Sequence, residues 1–331
     1  MIFRILVSIV LVYILPVLLM LGLSREQQQS KLPQTEPDSA QIMELPDDEK
    51  PQTSQSVQRT VSLLTEKGTV LLPLEDYISG VVLAEMPADF HSEALKAQAV
   101  VARTYTCRLG NYPKHTDAEI CADSQCCQAY ISEGDYLANG GTQEQIQKVK
   151  SSVYETAGQV LYYNGKLIEA TYFSCSGGKT EDAVAVWGTD VPYLQSVVSP
   201  GEEKAAHYTD TVIMSGSEFC KKMGLQLTGE PATWFGTITY TEGGGVNTIM
   251  VGSQEYTGTY LRKMLNLRST AFVLTAAGNS ITITTKGFGH RVGMSQYGAE
   301  AMAMDGASYQ EILCYYYQGV ELSKLLVDKN L

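Results

Sequence analysis

The feature that most constrains this chain is a run without a single charge. Residues 5–24, ILVSIVLVYILPVLLMLGLS, lie between Arg4 and Arg25. As a helix rising 1.5 Å per residue, the run spans roughly 30 Å, the thickness of a bilayer's hydrocarbon core. A cleaved signal peptide is the competing reading. The run is longer than the usual apolar region of such a leader, however, and ends Leu21-Gly22-Leu23-Ser24 rather than on a small-x-small cleavage site. The expectation is an uncleaved single-pass anchor over residues 1–24. Basic residues do not settle its orientation, because Arg4 is opposed by Arg25 and Lys31. The short tail ahead of the span is that of a signal anchor, which puts the N-terminus in the cytoplasm and the rest outside.

Residues 25–59 are rich in Gln, Pro, Ser, Asp and Glu, with apolar residues scattered singly, so they cannot bury enough surface to fold and read as a flexible tether. The folded part is expected at 60–331. The net charge of -12 argues against a nucleic-acid partner, since phosphate backbones are held by clustered Lys and Arg.

Within the folded part, Thr69-Val70-Leu71-Leu72 is β-like. Pro73, followed by Glu75 and Asp76, marks the start of a helix from Leu74 to Met86. A second helix is predicted from about Glu93 to Leu109, capped by Ser92, with Ala94, Leu95, Ala97, Val100, Val101 and Thr104 on its buried side. After a cysteine-rich loop at 110–128, a helix over Gln143–Thr156 leads into a hairpin, Gln159–Tyr163 and Leu167–Phe173, across Asn164-Gly165. Short alternating strands over about 209–285 read as an inserted β-rich lobe, and helices over Met294–Met304 and Tyr309–Tyr317 return the chain. No internal repeat of solenoid length is present. The class is α+β: a helical core with β-hairpins and an inserted β-rich lobe, preceded by one transmembrane helix.

On the first helix, Leu74, Ile78, Val81 and Val82 share a face, and Glu85, seven residues after Ile78, points from it. A carboxyl among branched apolar side chains loses hydration, which disfavours its charged form. The negative end of the helix dipole, just before Pro87, pushes the same way. A carboxylic acid that keeps its proton near neutral pH suits general acid catalysis. The alternatives are a glutamate bent away into solvent, or one paired with Arg103.

His115, Cys121 and Cys127 recur at six-residue intervals, with Cys126 adjacent. Imidazole and thiolates form a zinc ligand set, while an exported location also permits a disulfide. Adjacent Cys126 and Cys127 do not readily pair with each other. Cys107, Cys175, Cys220 and Cys314 read as small core residues.

The runs YISGVVLAEMP (77–87), EALKAQAVVARTY (93–105), YFSCSGGKT (172–180) and GFGHRVGMSQYG (287–298) closely resemble the stage II sporulation protein D (SpoIID) family, in the family's order. The resemblance covers roughly residues 60–325 and also fits the anchor and tether. It implies a peptidoglycan lytic transglycosylase of spore-forming bacteria, acting at the sporulation septum during engulfment on strands already stripped of stem peptides. Expected partners are the glycan strands and the stage II sporulation proteins P, an amidase, and M, a membrane scaffold. The glutamate of the family's Glu-Met-Pro step falls on Glu85. One carboxylate suffices if it protonates the bridging oxygen and then takes the proton of the sugar's own C6 hydroxyl.

Tyr172, Ser174, Ser176, Gly177, Gly178 and Thr180 are then candidates to bind sugar, against the alternative of a tight structural turn. His290 is a candidate against a hydrogen-bonded structural histidine, and Arg103 against a structural ion pair. The resemblance also implies a structural zinc on His115, Cys121 and Cys127. Because the family more usually has histidine before the last cysteine, the fourth ligand is left open between Cys126, Glu85 and water. A non-catalytic glycan-binding scaffold that activates an amidase, as relatives of the domain are thought to do, is the second functional reading. A zinc amidase is the third.

Overall fold

Residues 60–73 alternate enough to pair with themselves. In the computed structural model, which describes residues 59–111 and 114–325, Thr60–Thr65 (β1) and Gly68–Pro73 (β2) form an antiparallel hairpin. The predicted anchor, and the tether up to residue 58, lie outside the described residues. Among the described residues no helix is long and apolar enough to cross a membrane.

Pro73 ends the hairpin and caps Leu74–Glu85 (α1), whose first turn carries Glu75 and Asp76 at the positive end of the helix dipole. In Ser92–Gly110 (α2) the cap is His91, not the expected Ser92: its Nδ1 accepts the Glu93 N–H at 3.3 Å, so Ser92 is already helical. The buried side of α2 includes all six predicted positions and extends to Ala99, Ala102, Arg103 and Cys107. Its many alanines let other elements approach closely on several sides, so α2 is the central post of the molecule.

Ile120–Cys121 (β3) pairs in parallel with β1, tying the cysteine loop to the first hairpin. Glu133–Ala138 (α3) follows. Gln143–Glu155 (α4) then opens with a capping box between Thr142 and Gln145. Gln159–Tyr163 (β4) turns through Asn164 and Gly165, both at positive φ (49° and 74°), into Lys166–Leu167 (β5). The hairpin is present but shorter than expected. Its second strand stops at Leu167, and Tyr172–Phe173 (β6) pairs in parallel with Met294–Ser295 instead. Met294 and Ser295 are therefore strand, not the start of the predicted helix. Ala183–Trp187 (α5) completes this stretch.

Residues 209–286 hold Thr209–Ser215 (β7), Gly216–Met223 (α6), Phe235–Tyr240 (β8), Val246–Val251 (β9), Gln254–Thr257 (β10), Gly258–Leu265 (α7), Phe272–Ala277 (β11) and Ser280–Lys286 (β12). Two three-stranded antiparallel sheets, β10-β9-β8 and β11-β12-β7, enclose a core of their own around Phe219, Trp234, Ile249, Leu261 and Ile281. The helices α6 and α7 were not anticipated. They supply Phe219 and Leu261, both fully buried in that core.

The chain then returns through Met294–Ser295 (β13), Gln296–Met304 (α8), Tyr309–Tyr316 (α9) and Glu321–Lys324 (β14), which pairs with β4. The class is α+β. The main core joins α1, α2, α4, α8 and α9 through residues such as Ile78, Leu95, Ile146, Ala299 and Ile312.

One ion pair ties this core together. Arg103, fully buried, donates from Nη2 to Glu75 Oε2 at 2.5 Å and from Nε to both Glu75 oxygens at 3.1 Å. Its remaining donors reach the carbonyls of Val153 and Gln159 at 3.1 Å, and the Gly158 N–H binds Glu75 Oε1 at 2.9 Å. Four segments thus share one buried charge pair. Replacing Arg103 with Met leaves the Glu75 carboxylate buried without its partner, and is expected to lower the unfolding free energy by about 3–5 kcal/mol in a denaturant titration. A change below about 1 kcal/mol would show that the pair is not structural.

Candidate active site

Glu85 is the last residue of α1. Met86 leaves the helix with extended backbone (φ −132°, ψ 139°), and the carbonyl of Glu85 is satisfied by the Gln296 side chain, Nε2 to O 2.9 Å, from the start of α8. The carboxyl is half-buried, as the apolar periodicity of Leu74, Ile78, Val81 and Val82 implies. Its Oε1 accepts the Ala129 N–H at 2.9 Å, and the Tyr172 hydroxyl is a second hydrogen-bond partner. Burial holds the Glu85 carboxyl above the ordinary carboxylate range, and the two donors, which favour the ionised form, oppose it without cancelling it. Burial, and then the neighbouring Glu85 charge, hold the Tyr172 hydroxyl well above its usual range, so Tyr172 acts as a neutral donor.

Behind these two lies Gln128, buried and unsuspected from the sequence. Its Oε1 lies 3.3 Å from the Tyr172 hydroxyl, where it competes with Glu85 for that group's one proton, while Nε2 donates to Thr106 Oγ1 at 2.8 Å and to Tyr77 Oη at 3.4 Å. The amide is therefore fixed, and with it the ring of Tyr172.

The other sequence candidates separate into two groups. Tyr172 and Ser174 remain partly exposed. Ser176 and Thr180 are fully buried, and are turn-forming residues rather than groove residues. The reason is Glu202, a buried carboxylate that the sequence reading missed. Its Oε2 accepts from Ser176 Oγ (2.7 Å), Ser176 N–H (2.9 Å), Gly177 N–H (2.8 Å) and Gly178 N–H (3.3 Å). Its Oε1 accepts from Ser199 Oγ at 2.7 Å and from Ser295 Oγ. Gly177 (φ 83°) and Gly178 (φ 118°) supply the left-handed backbone that wraps this anion. Thr180 Oγ1 accepts the Val197 N–H at 2.8 Å.

Arg103 pairs with Glu75, not Glu85, and with no exposed surface it does not meet a ligand. His290 packs its ring against Phe173 and Trp187, with centroids 5.7 and 5.5 Å away, and its Nδ1 accepts the Val292 N–H at 3.1 Å. Burial, helped by the Arg262 charge, pushes its pKa down to about 4, so it is a neutral structural histidine. Glu93, in the first turn of α2, is occupied as well. It binds Lys96 at 2.8 Å and the Tyr309 N–H at 2.8 Å, and although burial acts to raise its pKa, these bonds hold it below the ordinary range.

His115, Cys121, Cys126 and Cys127 converge, their ligand atoms all lying within 4.8 Å of one another. His115 Nε2 is 3.7 Å from Cys126 Sγ and 3.5 Å from Cys127 Sγ, and the two sulfurs are 3.9 Å apart. A tetrahedral zinc with ordinary Zn–S and Zn–N bonds has ligand edges of about 3.5–3.8 Å, so the set fits. All seven cysteines are free thiols. Cys126, and not Glu85, is the fourth side chain that joins this group. Cys127, Gln128 and Ala129 are consecutive, so a thiol of this cluster, the amide that fixes Tyr172 and the N–H that holds Glu85 sit on one short segment.

A family profile described as Stage II sporulation protein matches residues 65–163. Stage II sporulation protein D of Bacillus subtilis (strain 168) is 42% identical over 259 residues, 76% of this chain and 75% of that protein. Its namesake in Bacillus amyloliquefaciens has the same identity over the same length. The Amidase enhancer of Bacillus subtilis (strain 168) is 31% identical over 304 residues, 74% of this chain and 40% of that protein.

Titration of carboxyl-labelled protein by NMR is expected to find Glu85 protonating above the ordinary glutamate range. Tyr172→Phe removes a bond that favours the anion, so it should move that midpoint further up. A midpoint that falls in Tyr172→Phe would contradict the role of Tyr172 as a donor to the anion, and a parent midpoint within the ordinary range would contradict burial as the dominant cause.

Proposed function

This chain belongs to the stage II sporulation protein D family, and we propose that it is a lytic transglycosylase that cuts peptidoglycan glycan strands, preferably those lacking stem peptides, with Glu85 as its acid and base. The observation that carries the reading is the half-buried Glu85 carboxyl, whose affinity for its proton burial raises and whose anion the Ala129 N–H and the Tyr172 hydroxyl can receive.

In this mechanism Glu85 gives its proton to the bridging glycosidic oxygen as the C1–O bond breaks. The resulting carboxylate is stabilised by the Ala129 N–H and the Tyr172 hydroxyl. It then draws the proton from the C6 hydroxyl of the same sugar, whose oxygen closes on C1. The product carries a 1,6-anhydro ring, no water is consumed, and Glu85 ends protonated as it began. A hydrolase ordinarily uses a second carboxylate, and Glu93, at the start of α2, is bound to Lys96 and Tyr309.

His115, Cys121, Cys126 and Cys127 would hold a zinc whose contribution is structural, fixing the loop that carries Gln128 and Ala129 against Glu85. The family's setting supports the remaining assignments: an anchored protein facing the septal wall during engulfment, working with stage II sporulation proteins P and M. The likeness to a protein named Amidase enhancer supports a second reading, in which the domain binds glycan and stimulates an amidase without cutting.

Full-length protein incubated with peptide-free strands is expected to release anhydro-ended fragments detectable by mass, and Glu85→Gln should lower the rate by at least about 100-fold. Equal release by both proteins would remove Glu85 from the chemistry. Products with reducing ends would point to hydrolysis, and amidase stimulation intact in Glu85→Gln with no cutting by either protein would favour the second reading.

Metal analysis of the purified chain should give about one zinc per molecule, with Cys127→Ser losing the metal and melting at lower temperature. Protein that is metal-free as purified, with a melting temperature indifferent to chelator, would overturn the zinc assignment.

A further inference from the structure

Of the six arginines among the described residues, five pair with a carboxylate: Arg59, Arg103, Arg108, Arg268 and Arg291. The sixth, Arg262 on α7, has neither a carboxylate nor a hydrogen-bond acceptor at its guanidinium among the described residues. Nor is it freely hydrated. Its side chain is partly buried, and burial holds the guanidinium below its ordinary range. Arg291, which acts on it electrostatically, carries the same sign. A partly desolvated cation without a partner is costly to hold unless a ligand brings the anion.

The position of Arg262 indicates which ligand that is. After α7 the chain lies against residues 288 and 289: the Gly289 N–H donates to the Arg268 carbonyl at 3.0 Å, and the Arg268 guanidinium sits 5.1 Å from the centroid of the Phe288 ring. The Arg262 charge acts on the ring of His290, the next residue along. That same ring is hydrogen-bonded to the backbone of Tyr172, whose hydroxyl reaches Glu85, and packs 5.5 Å from Trp187. Tyr172 therefore links the surroundings of Arg262 to the carboxyl site. Trp187 and Phe288 are both exposed, which leaves two uncovered aromatic rings in the company of this cation.

A guanidinium matches a carboxylate through two parallel hydrogen bonds, and exposed aromatic faces suit the C–H faces of a sugar. In a peptidoglycan strand the stem peptide is joined by an amide to the lactyl ether of alternate sugars, so the intact strand has no charge at that point. Removing the peptide leaves a carboxylate there. The stripped strand is thus a polyanion, which a chain of net charge -12 repels except where a local cation receives it. We infer that Arg262 is a specificity-determining residue that pairs with this freed lactyl carboxylate, so that the protein tells stripped strands from intact ones by charge. The inference rests on the glycan-cleavage reading above and adds to it the group that is recognised and the residue that recognises it.

The test uses full-length Glu85→Gln protein, so that strands are bound and not cut, with two preparations of peptide-free glycan. One keeps its carboxylates, and in the other they are converted to neutral methylamides. Glu85→Gln protein is expected to bind the carboxylate form about tenfold or more tightly, and adding Arg262→Gln should bring the two forms within about threefold of each other. Arg262→Lys, which keeps the charge but not the planar fork, should retain an intermediate preference with unchanged binding of the methylamide form, and it decides the matter if Arg262→Gln melts early. Equal binding of the two forms by Glu85→Gln protein, or a preference that survives Arg262→Gln in full, would overturn the inference and leave the glycan reading standing. Failure of Glu85→Gln protein to bind either form would overturn both.

Discussion

A carboxyl group at a helix C-terminus keeps its proton only when burial opposes its charge more strongly than its hydrogen-bond donors favour it, and the segment Cys127–Ala129 sets that balance for Glu85. Ala129 supplies a backbone donor that cannot rotate away. Gln128 orients the hydroxyl of Tyr172 through an amide that is itself pinned by Thr106 and Tyr77. These donors favour the anion, but less strongly than burial disfavours it. The same segment begins at Cys127, one of the four residues of the His115, Cys121, Cys126 and Cys127 cluster.

Elsewhere the fold relies on buried carboxylates as junctions. Glu75 with Arg103 gathers α1, α2 and the start of β4. Glu202 gathers the turn at 176–178, Ser199 and Ser295. Glu181 meets Arg291 at 3.0 Å and receives Thr241 Oγ1 and the Gly245 N–H, which fastens the lobe's β8–β9 turn to the main body. Each junction is costly to leave half-made, so each favours one arrangement of distant segments over near alternatives.

What the sequence made legible was local. The apolar spacing of α1, and the place of Glu85 on it, follow from a helix period that needs no partner. The Asn164-Gly165 turn likewise announces its own geometry. The parallel pairing of β6 with β13 left no trace, because two residues are too few for a pattern and the partner lies far along the chain. Ser176 and Thr180 looked like sugar ligands only because Glu202, which buries the first of them, carries no local mark of being buried. The caps of α6 and α7, Ser215 and Thr257, were present in the sequence, but eight residues of helix between strand-like runs do not outweigh the alternation around them.

The bond from Gln296 to the Glu85 carbonyl spans 211 positions of sequence, and Tyr172 joins the same site from midway. A chain halted anywhere before its final helices therefore possesses the acid but not its surroundings. The setting of this carboxyl is thus completed only by the last part of the chain to be made.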